Sequence, residues 1–335
     1  MHEMKAIVCT KYGPPEVLEL REVEKPQPKK DEVLIKVYAT TVTTGECEIR
    51  GMKLPLWLRF PMQLWLGFGK PKKILGQELS GKIEETGKEV TQFKAGDKVF
   101  GTTGFNLGAY AQYVCLPVKG SENALALKPD VVTFEQAAAL PVGGLEALHF
   151  ISKANIQTGQ KVLIVGAGGS IGTFAIQLAK QGGAEVTGVD STEKLDTLRQ
   201  VGAANTIDYT QEDFTKNGET YDVIFDVAGK SSFSATVKSL KPIGILLMAN
   251  PKLSDMLRAR WTSMRSGKRI VFGSSSQNPE DLKQLVDLLA SGELKTVIDR
   301  TFRLEDIVEA HHYVESGHKK GNVVVKVSYE QEKTA

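Results

Sequence analysis

The sequence predicts an α/β protein in which a doubly wound parallel sheet is inserted between two parts of a β-rich domain. Three observations predict it. The first 125 residues carry β-branched runs bounded by Gly, Pro and charged turns. From Phe134 onward short apolar strands alternate with amphipathic helices. Beyond the last of those helices the tail returns to strand texture.

Strands are expected in the opening region at residues 5–10, 31–39, 78–86 and 98–101. The Ala/Leu spacing of 135–152 reads as one helix. After Thr158 and Gly159, strands follow at 161–165, 185–189, 206–207, 222–226, 243–249 and 269–272, with helices at 171–182, 194–201 and 232–240. A further helix at 280–290 precedes strands at 296–302 and 322–327. The chain thus divides into a β-rich domain of residues 1–125 and 293–335 and a parallel-sheet domain of residues 126–292. No internal repeat or low-complexity linker interrupts it.

A length of 335 residues accommodates two domains and a substantial core. Forty-two Lys and Arg against 40 Asp and Glu leave a net charge of +2, too small to support a nucleic-acid or anionic-membrane reading. The three cysteines, Cys9, Cys47 and Cys115, are odd in number and far apart, so no disulfide framework is expected and a reducing cytoplasm is the simplest home. The opening residues run into strand texture without a basic-then-apolar leader. No stretch reaches the roughly 18 consecutive apolar residues of a membrane span. The nearest approach, 54–68, is interrupted by Pro55, Arg59 and Pro61. With Trp57, Phe60, Trp65 and Phe68 it reads either as an apolar lid for a flat hydrophobic acceptor or as a cap or surface contact of the β-rich domain.

The chemistry begins at 161–180. The apolar strand 161–165 leads into Gly166, Ala167, Gly168, Gly169, Ser170, Ile171 and Gly172, and then into a helix. A diphosphate needs main-chain N–H groups at close range and gains from the positive end of a helix dipole; glycines allow the tight turn and the close approach. The strand–turn–helix context is what the mechanism requires of such a glycine pattern. The second strand then reaches Asp190, about twenty residues on, where a carboxylate meets the ribose 2′-hydroxyl.

On these residues, with Met4 to Ile7, Gly13 to Leu18, Leu75 to Gly81, Ala95 to Phe100, Ala137 to Gly144 and Lys320 to Val324, the sequence resembles the zinc-independent branch of the medium-chain dehydrogenase/reductase superfamily, particularly its quinone oxidoreductase-like members. The resemblance spans nearly the whole chain. It implies a GroES-like β-rich catalytic domain plus a Rossmann domain, and hydride transfer from NAD(P)H to a small hydrophobic quinone or α,β-unsaturated carbonyl. It also implies a homodimer joined through Rossmann-domain strands. A zinc-free alcohol dehydrogenase or enoyl reductase is the alternative enzyme, and a dinucleotide-binding regulatory or structural protein of little turnover is the alternative of another class.

No metal is expected. Catalytic zinc in related alcohol dehydrogenases takes two thiolates and an imidazole, and the matching places here resemble Thr43, Gln77 and Val142. The four clustered cysteines of a structural zinc lobe are missing after Gly96 and Asp97. His2, His149 and His318 are isolated; His311 and His312 diverge by about 100° on a helix. His311 and Glu315 are expected to form a solvated surface pair. Without a Lewis acid, reduction of an already electron-poor acceptor is favoured over alcohol oxidation.

The choice of nicotinamide is divided. Asp190 favours NAD(H) by repelling a 2′-phosphate, unless Lys194 neutralises it. The segments Ser191 to Lys194 and Asp208 to Tyr209 resemble a pattern of NADPH-dependent members in which a lysine and a tyrosine contact the 2′-phosphate, so Lys194 and Tyr209 admit NADP(H). The resemblance adds Val227 on the loop after 226, Phe272, Gly273 and Ser274 beside the nicotinamide, and Asn322 reaching back from the tail. At the substrate end stand Thr43, Glu46 and Glu48, where quinone reductases carry an Asn-centred pattern. Thr43 either orients a carbonyl through its hydroxyl or packs; Glu46 and Glu48 either take part in hydrogen bonding and proton relay or are solvated. Cys47 is expected to be a buried small residue rather than a nucleophile.

Overall fold

The computed structural model describes residues 3–53, 74–118, 123–276, 278–327 and 329. The proposed lid at 54–68 lies outside the described residues. Contacts divide the chain into two compact units: Met1–Val142 with Gln277–Ser291 and Ile298–Ala335, and Gly143–Ser276 with Gly292–Val297. These bounds differ from the 125/126 and 292/293 division read from the sequence. Residues 126–142 and 277–291 group with the β-rich unit, in part because the helix over 279–291 packs beside the strand over 124–127.

In the β-rich unit, β1 (Glu3–Cys9) pairs antiparallel with β2 (Leu18–Glu24). A second sheet is organised around β3 (Glu32–Thr41), which receives β4 (Glu78–Thr86) on one side. On its other side β6 (Tyr113–Pro117) pairs with the first half of β3, and β15 (Asn322–Lys326) with the second. β5 (Lys98–Thr102) and β7 (Ala124–Leu127) extend the sheet beyond β4, and β14 (Ile298–Arg303) extends it beyond β15. Val33, Ile35 and Val37 alternate along β3 into a core shared with Leu79, Ile83, Val99, Val323 and Val325, all essentially inaccessible. Each such side chain contributes roughly 1.5–3 kcal/mol on burial.

Two helices belong to this unit's first part, and a third starts at its end and continues as part of the second unit. α1 (Thr44–Gly51) was not foreseen, although its capping box was available: the Thr43 hydroxyl accepts the Glu46 N–H, and the Glu46 carboxylate accepts the Thr43 N–H. The single helix expected over 135–152 is two, α2 (Phe134–Ala138) and α3 (Pro141–Ala154). Pro141 is the reason. It has no N–H and biases Leu140 away from helical backbone, yet suits the first position of a new helix.

The second unit holds a six-stranded, all-parallel sheet in the order β10-β9-β8-β11-β12-β13. These are β8 (Lys161–Val165), β9 (Glu185–Asp190), β10 (Asn205–Asp208), β11 (Tyr221–Asp226), β12 (Leu240–Met248) and β13 (Arg269–Phe272). The chain runs outward from β8 through β9 to β10, then returns to β11 on the other side of β8. The strand order reverses there, so the crevice at the carboxyl ends of β8 and β11 is the switch point where α/β sheets bind ligands.

α4 (Ser170–Gln181), α5 (Leu195–Gln200) and α6 (Phe233–Lys238) follow β8, β9 and β11. α7 (Leu253–Ser266), which was not expected, precedes β13. Its buried residues are Asp255 and Ala259, whereas Leu253, Leu257, Trp261 and Met264 are exposed, so its apolar stripe faces away from the sheet. α8 (Pro279–Ser291) and α9 (Ile307–Glu315) complete the β-rich unit.

Candidate functional site

β8 ends in the glycine turn. Gly166 adopts φ +78°, a left-handed conformation open to glycine, and its N–H and that of Ala167 bond the Val189 carbonyl at 3.0 and 3.2 Å. The turn is pinned to β9 before α4 begins. At Gly168 a Cβ would lie 2.7 Å from Lys194 Cδ and 3.0 Å from Asp190 Oδ2, and at Gly172 it would lie 2.5 Å from the Gly166 carbonyl oxygen. Main chain leaves no room for a side chain at Gly172, and one at Gly168 would displace Lys194, so the start of a twelve-residue helix is bare main chain. That cradle fits a dinucleotide diphosphate.

Asp190 is buried, 5% exposed, and its carboxylate is occupied. Oδ2 accepts the Gly168 N–H at 2.7 Å, Oδ1 accepts the Ser191 N–H at 2.9 Å, and the Lys194 ammonium stands 3.4 Å from Oδ1. Lys194 is itself 8% exposed, not a solvated helix residue. Removing both charges from water is costly unless they are paired and hydrogen-bonded, as they are here. The neutralisation on which the NAD(H) preference was conditional is therefore present. Tyr209, whose N–H bonds the Asp190 carbonyl at 3.1 Å, is 61% exposed at the end of the neighbouring strand.

Across the switch point, the Val227 N–H bonds the Val165 carbonyl at 3.0 Å, and a Cβ on Gly166 would meet Ala228 Cβ at 3.1 Å. The loop after β11 thus lies against the turn. Phe272, Gly273 and Ser274 leave the carboxyl end of β13. Their loop is held by a residue that the sequence reading missed: Glu146 of α3, whose Oε1 accepts from Ser275 N at 3.0 Å and Ser275 Oγ at 2.9 Å.

In the β-rich unit a second cluster surrounds the start of α1. Glu46 is completely buried, and its carboxylate meets four donors. Oε2 accepts from Thr43 N at 2.7 Å, Thr43 Oγ1 at 3.0 Å and the Tyr110 hydroxyl at 3.1 Å; Oε1 accepts from Gln77 N at 2.7 Å. Glu46 is thus not the solvated glutamate that one sequence reading allowed. Burial pushes its carboxyl up to about 7 against the pull of those bonds. Glu78, also buried, accepts from the Thr41 hydroxyl and from Val142 N at 2.6 Å, and burial likewise raises it to about 7. Val42 N donates to Val323 O at 2.9 Å, so Asn322, 3% exposed, lies at the Thr43 end of the β3–β15 pair. Thr43, Gln77, Val142 and Asn322, distant in sequence, are gathered together. Glu48 lies on the exposed side of α1, apart from the buried carboxyls. Glu78 and Tyr110 were missed; Glu78 sits inside the 75–81 motif, but nothing local to Tyr110 marks it.

The expected surface pair of His311 and Glu315 is corrected. His311 is wholly buried; its Nδ1 stands 3.3 Å from Arg50 Nε and 3.2 Å from Cys47 Sγ. Arg50, equally buried, bonds Glu315 Oε1 at 2.6 Å and the Gly13 carbonyl at 2.7 Å. The contact joins residues more than 260 positions apart, which helical spacing cannot reveal. Burial holds the imidazole down to about 3 and lifts the Cys47 thiol to about 12, so the two meet as neutral groups and Cys47 is no nucleophile.

The donor set at the places resembling zinc ligands is a hydroxyl, an amide and a valine, and it does not fit tetrahedral zinc. Among the described residues, no three or more His, Cys, Asp and Glu side chains are grouped to hold a metal ion. No helix of the described residues is long and apolar enough to cross a membrane.

Two family models match. The alcohol dehydrogenase GroES-like domain covers residues 29–128, and a model described as zinc-binding dehydrogenase covers residues 201–325. The chain is 32% identical to 2-methylene-furan-3-one reductase of Solanum lycopersicum over 96% of this chain and 79% of that protein. It is 30% identical to the chloroplastic NADPH-dependent alkenal/one oxidoreductase of Arabidopsis thaliana, with the same coverage of each. The solved quinone oxidoreductase of Coxiella burnetii superposes with a TM-score of 0.86 at 31% identity, covering 98% of this chain and 100% of that one.

Proposed function

The chain belongs to the medium-chain dehydrogenase/reductase superfamily, in its quinone oxidoreductase-like branch, and on that premise we propose that it reduces quinones or α,β-unsaturated carbonyls with NAD(P)H. The observation that carries this reading is the cradle at the switch point, where Gly168 lies under Lys194 and beside Asp190. When bound, the dinucleotide supplies the hydride.

The chain's own residues hold and orient. Main chain from Gly166 through Gly169, Ser170, Ile171 and Gly172 receives the diphosphate. Asp190 and Ser191 receive the adenosine ribose, with Lys194 and Tyr209 placed for a 2′-phosphate. Val227, Phe272, Gly273, Ser274 and Asn322 complete the contacts. Because Lys194 already neutralises Asp190, both NADH and NADPH are proposed to serve. Thr43 and Glu46 are the proposed catalytic pair, with the exposed Glu48 as a secondary hydrogen-bonding group. The reaction is proposed to run without zinc, since positioning and exclusion of water are what hydride transfer chiefly asks of the protein. Metal analysis of active protein should find no stoichiometric zinc, and chelators should leave the rate unchanged.

The deciding experiment follows NADH and NADPH absorbance separately with quinones, enones, aldehydes and alcohols. Oxidation of either cofactor by quinones or enones, but not reduction by alcohols, is expected. Tight dinucleotide binding with no turnover on any acceptor would replace this reading with that of a low-turnover binding protein.

A homodimer through the β13 edge is proposed alongside. Among the described residues β13 pairs with β12 alone, and Phe272 on β13 and the apolar stripe of α7 are exposed. Light scattering should give twice the chain mass. A cytoplasmic home, suggested by three cysteines that stand as free thiols, is checked by localising the tagged chain.

A further inference from the structure

We propose that Thr43 and Glu46 form a proton-delivery pair, in which the buried Glu46 carboxyl stores a proton and the Thr43 hydroxyl hands it to the reduced substrate. This rests on the reductase reading and deepens it. The geometry supplies the argument. Thr43 Oγ1 is bonded to Glu46 twice, accepting its N–H at 3.2 Å and donating to its Oε2 at 3.0 Å. With Glu46 ionised, the hydroxyl hydrogen is committed inward and Thr43 has nothing to give. With Glu46 protonated on Oε2, that bond reverses. Thr43 Oγ1 then accepts from both Glu46 groups, and its own hydrogen is released outward. Thr43 is half-buried while Glu46 is sealed, so the threonine is the outward end of the pair.

The step balances. Hydride addition to an enone leaves an enolate, which takes the Thr43 hydroxyl proton. Thr43 Oγ1 takes the Glu46 proton as its own leaves. The resulting carboxylate is stabilised by Thr43 N–H, Gln77 N–H and the Tyr110 hydroxyl, and solvent restores its proton between turnovers. Thr43 is the catalytic residue, and Glu46 is the positioning residue acting through it.

Glu46 is suited to this by its surroundings. All four of its donors are neutral, and burial lifts its carboxyl to about 7, so the proton is held near neutrality and still transferable. The charged and titratable groups around it are Cys47 and Arg50 on α1, Glu78 on β4 with Lys319 facing it, and Tyr110. From α9, His311 and Glu315 engage Arg50, which stands one turn further along the same face of α1, and the Glu315 carboxylate pairs its charge.

Two measurements test the pair. In the cofactor-free protein, infrared titration should reveal a protonated carboxyl band persisting well above pH 4.5. Glu46 and Glu78 both contribute to it, so Glu46→Gln should remove the Glu46 part and leave that of Glu78, and Tyr110→Phe, which deletes one donor to the Glu46 carboxylate, should move the midpoint of the Glu46 part upward. A band unchanged in Glu46→Gln overturns the store. In the loaded enzyme, kcat for an enone should fall as pH rises through about 7. Thr43→Val should lower the plateau by about 10²-fold and abolish that limb, with the cofactor KM unchanged. Thr43→Ser should restore both, and Tyr110→Phe should shift the limb upward. Thr43→Val retaining the limb overturns the delivery step, while the reductase reading stands. If neither cofactor is oxidised by any acceptor, the reading and the delivery step fall together, and the infrared result alone decides the store.

Discussion

Two buried carboxyl groups, Asp190 and Glu46, sit in contrasting surroundings, and the contrast bears on the roles proposed for them. Asp190, in the parallel-sheet unit, is bonded by two main-chain N–H groups and faces an ammonium at 3.4 Å. Glu46, in the β-rich unit, is bonded by four donors and none of them is charged. Burial lifts the Glu46 carboxyl to about 7 in spite of its four hydrogen bonds, whereas Asp190 has a cation for a partner. The first arrangement suits a fixed binding element and the second a group that exchanges protons.

The comparison can be broken most severely at Lys194. Lys194→Met leaves Asp190 buried without its cation and should destabilise the fold by about 3–5 kcal/mol in urea unfolding. It should also weaken NADPH more than NADH in fluorescence titrations, and equal losses for both cofactors would remove Lys194 from the phosphate site. Next comes Gly172→Ala, whose Cβ would meet main chain at 2.5–2.6 Å. Forcing the turn apart should cost about 1–3 kcal/mol and at least tenfold in dinucleotide affinity, with the Glu46 infrared titration unaffected.

A smaller effect concerns pH. Glu46 and Glu78 both sit at about 7 when folded, against an ordinary value of 4.5. Between those values the unfolded chain gives up protons that the native state keeps, so native stability is greatest below about 4.5 on this account and declines as pH rises to about 7. Glu78→Gln, whose amide oxygen still accepts from Val142 N, should flatten the decline of Tm across that window. An unchanged slope would show that Glu78 titrates normally. Least is expected of Glu146→Ala, which frees Ser275 of two bonds. About 1 kcal/mol, or roughly fivefold in cofactor affinity, should be lost.

Much of this was legible in the sequence where structure is local. The strands of the parallel sheet and the glycine turn are periodic or composed of residues with one role, and they stand within a few positions of where they were expected. α9 was not among the expected helices, although Ile307, Ala310, His311 and Val314 are buried at helical spacing. α7 was hidden because its apolar residues point outward, which reverses the usual meaning of the pattern. The candidate site was legible as a set of addresses. Thr43, Gln77 and Val142 were named for the zinc donors that they are not, and the structure assembles them around Glu46 and Glu78. What sequence could not supply was direction: that Glu46 points into a sealed space, that Tyr110 meets it from 64 positions away, and that Lys194 folds back over Gly168.

The bond from Gly168 N to Asp190 Oδ2 has a practical consequence for anyone wishing to re-engineer cofactor choice. The carboxylate that would be the obvious position to exchange is also a strut of the diphosphate turn. Asp190→Ser should therefore admit the larger cofactor while slackening the grip on both. A selective design would leave residue 190 alone and vary the side chains of Ser191 and Tyr209, proposed above to meet the ribose and its 2′-phosphate.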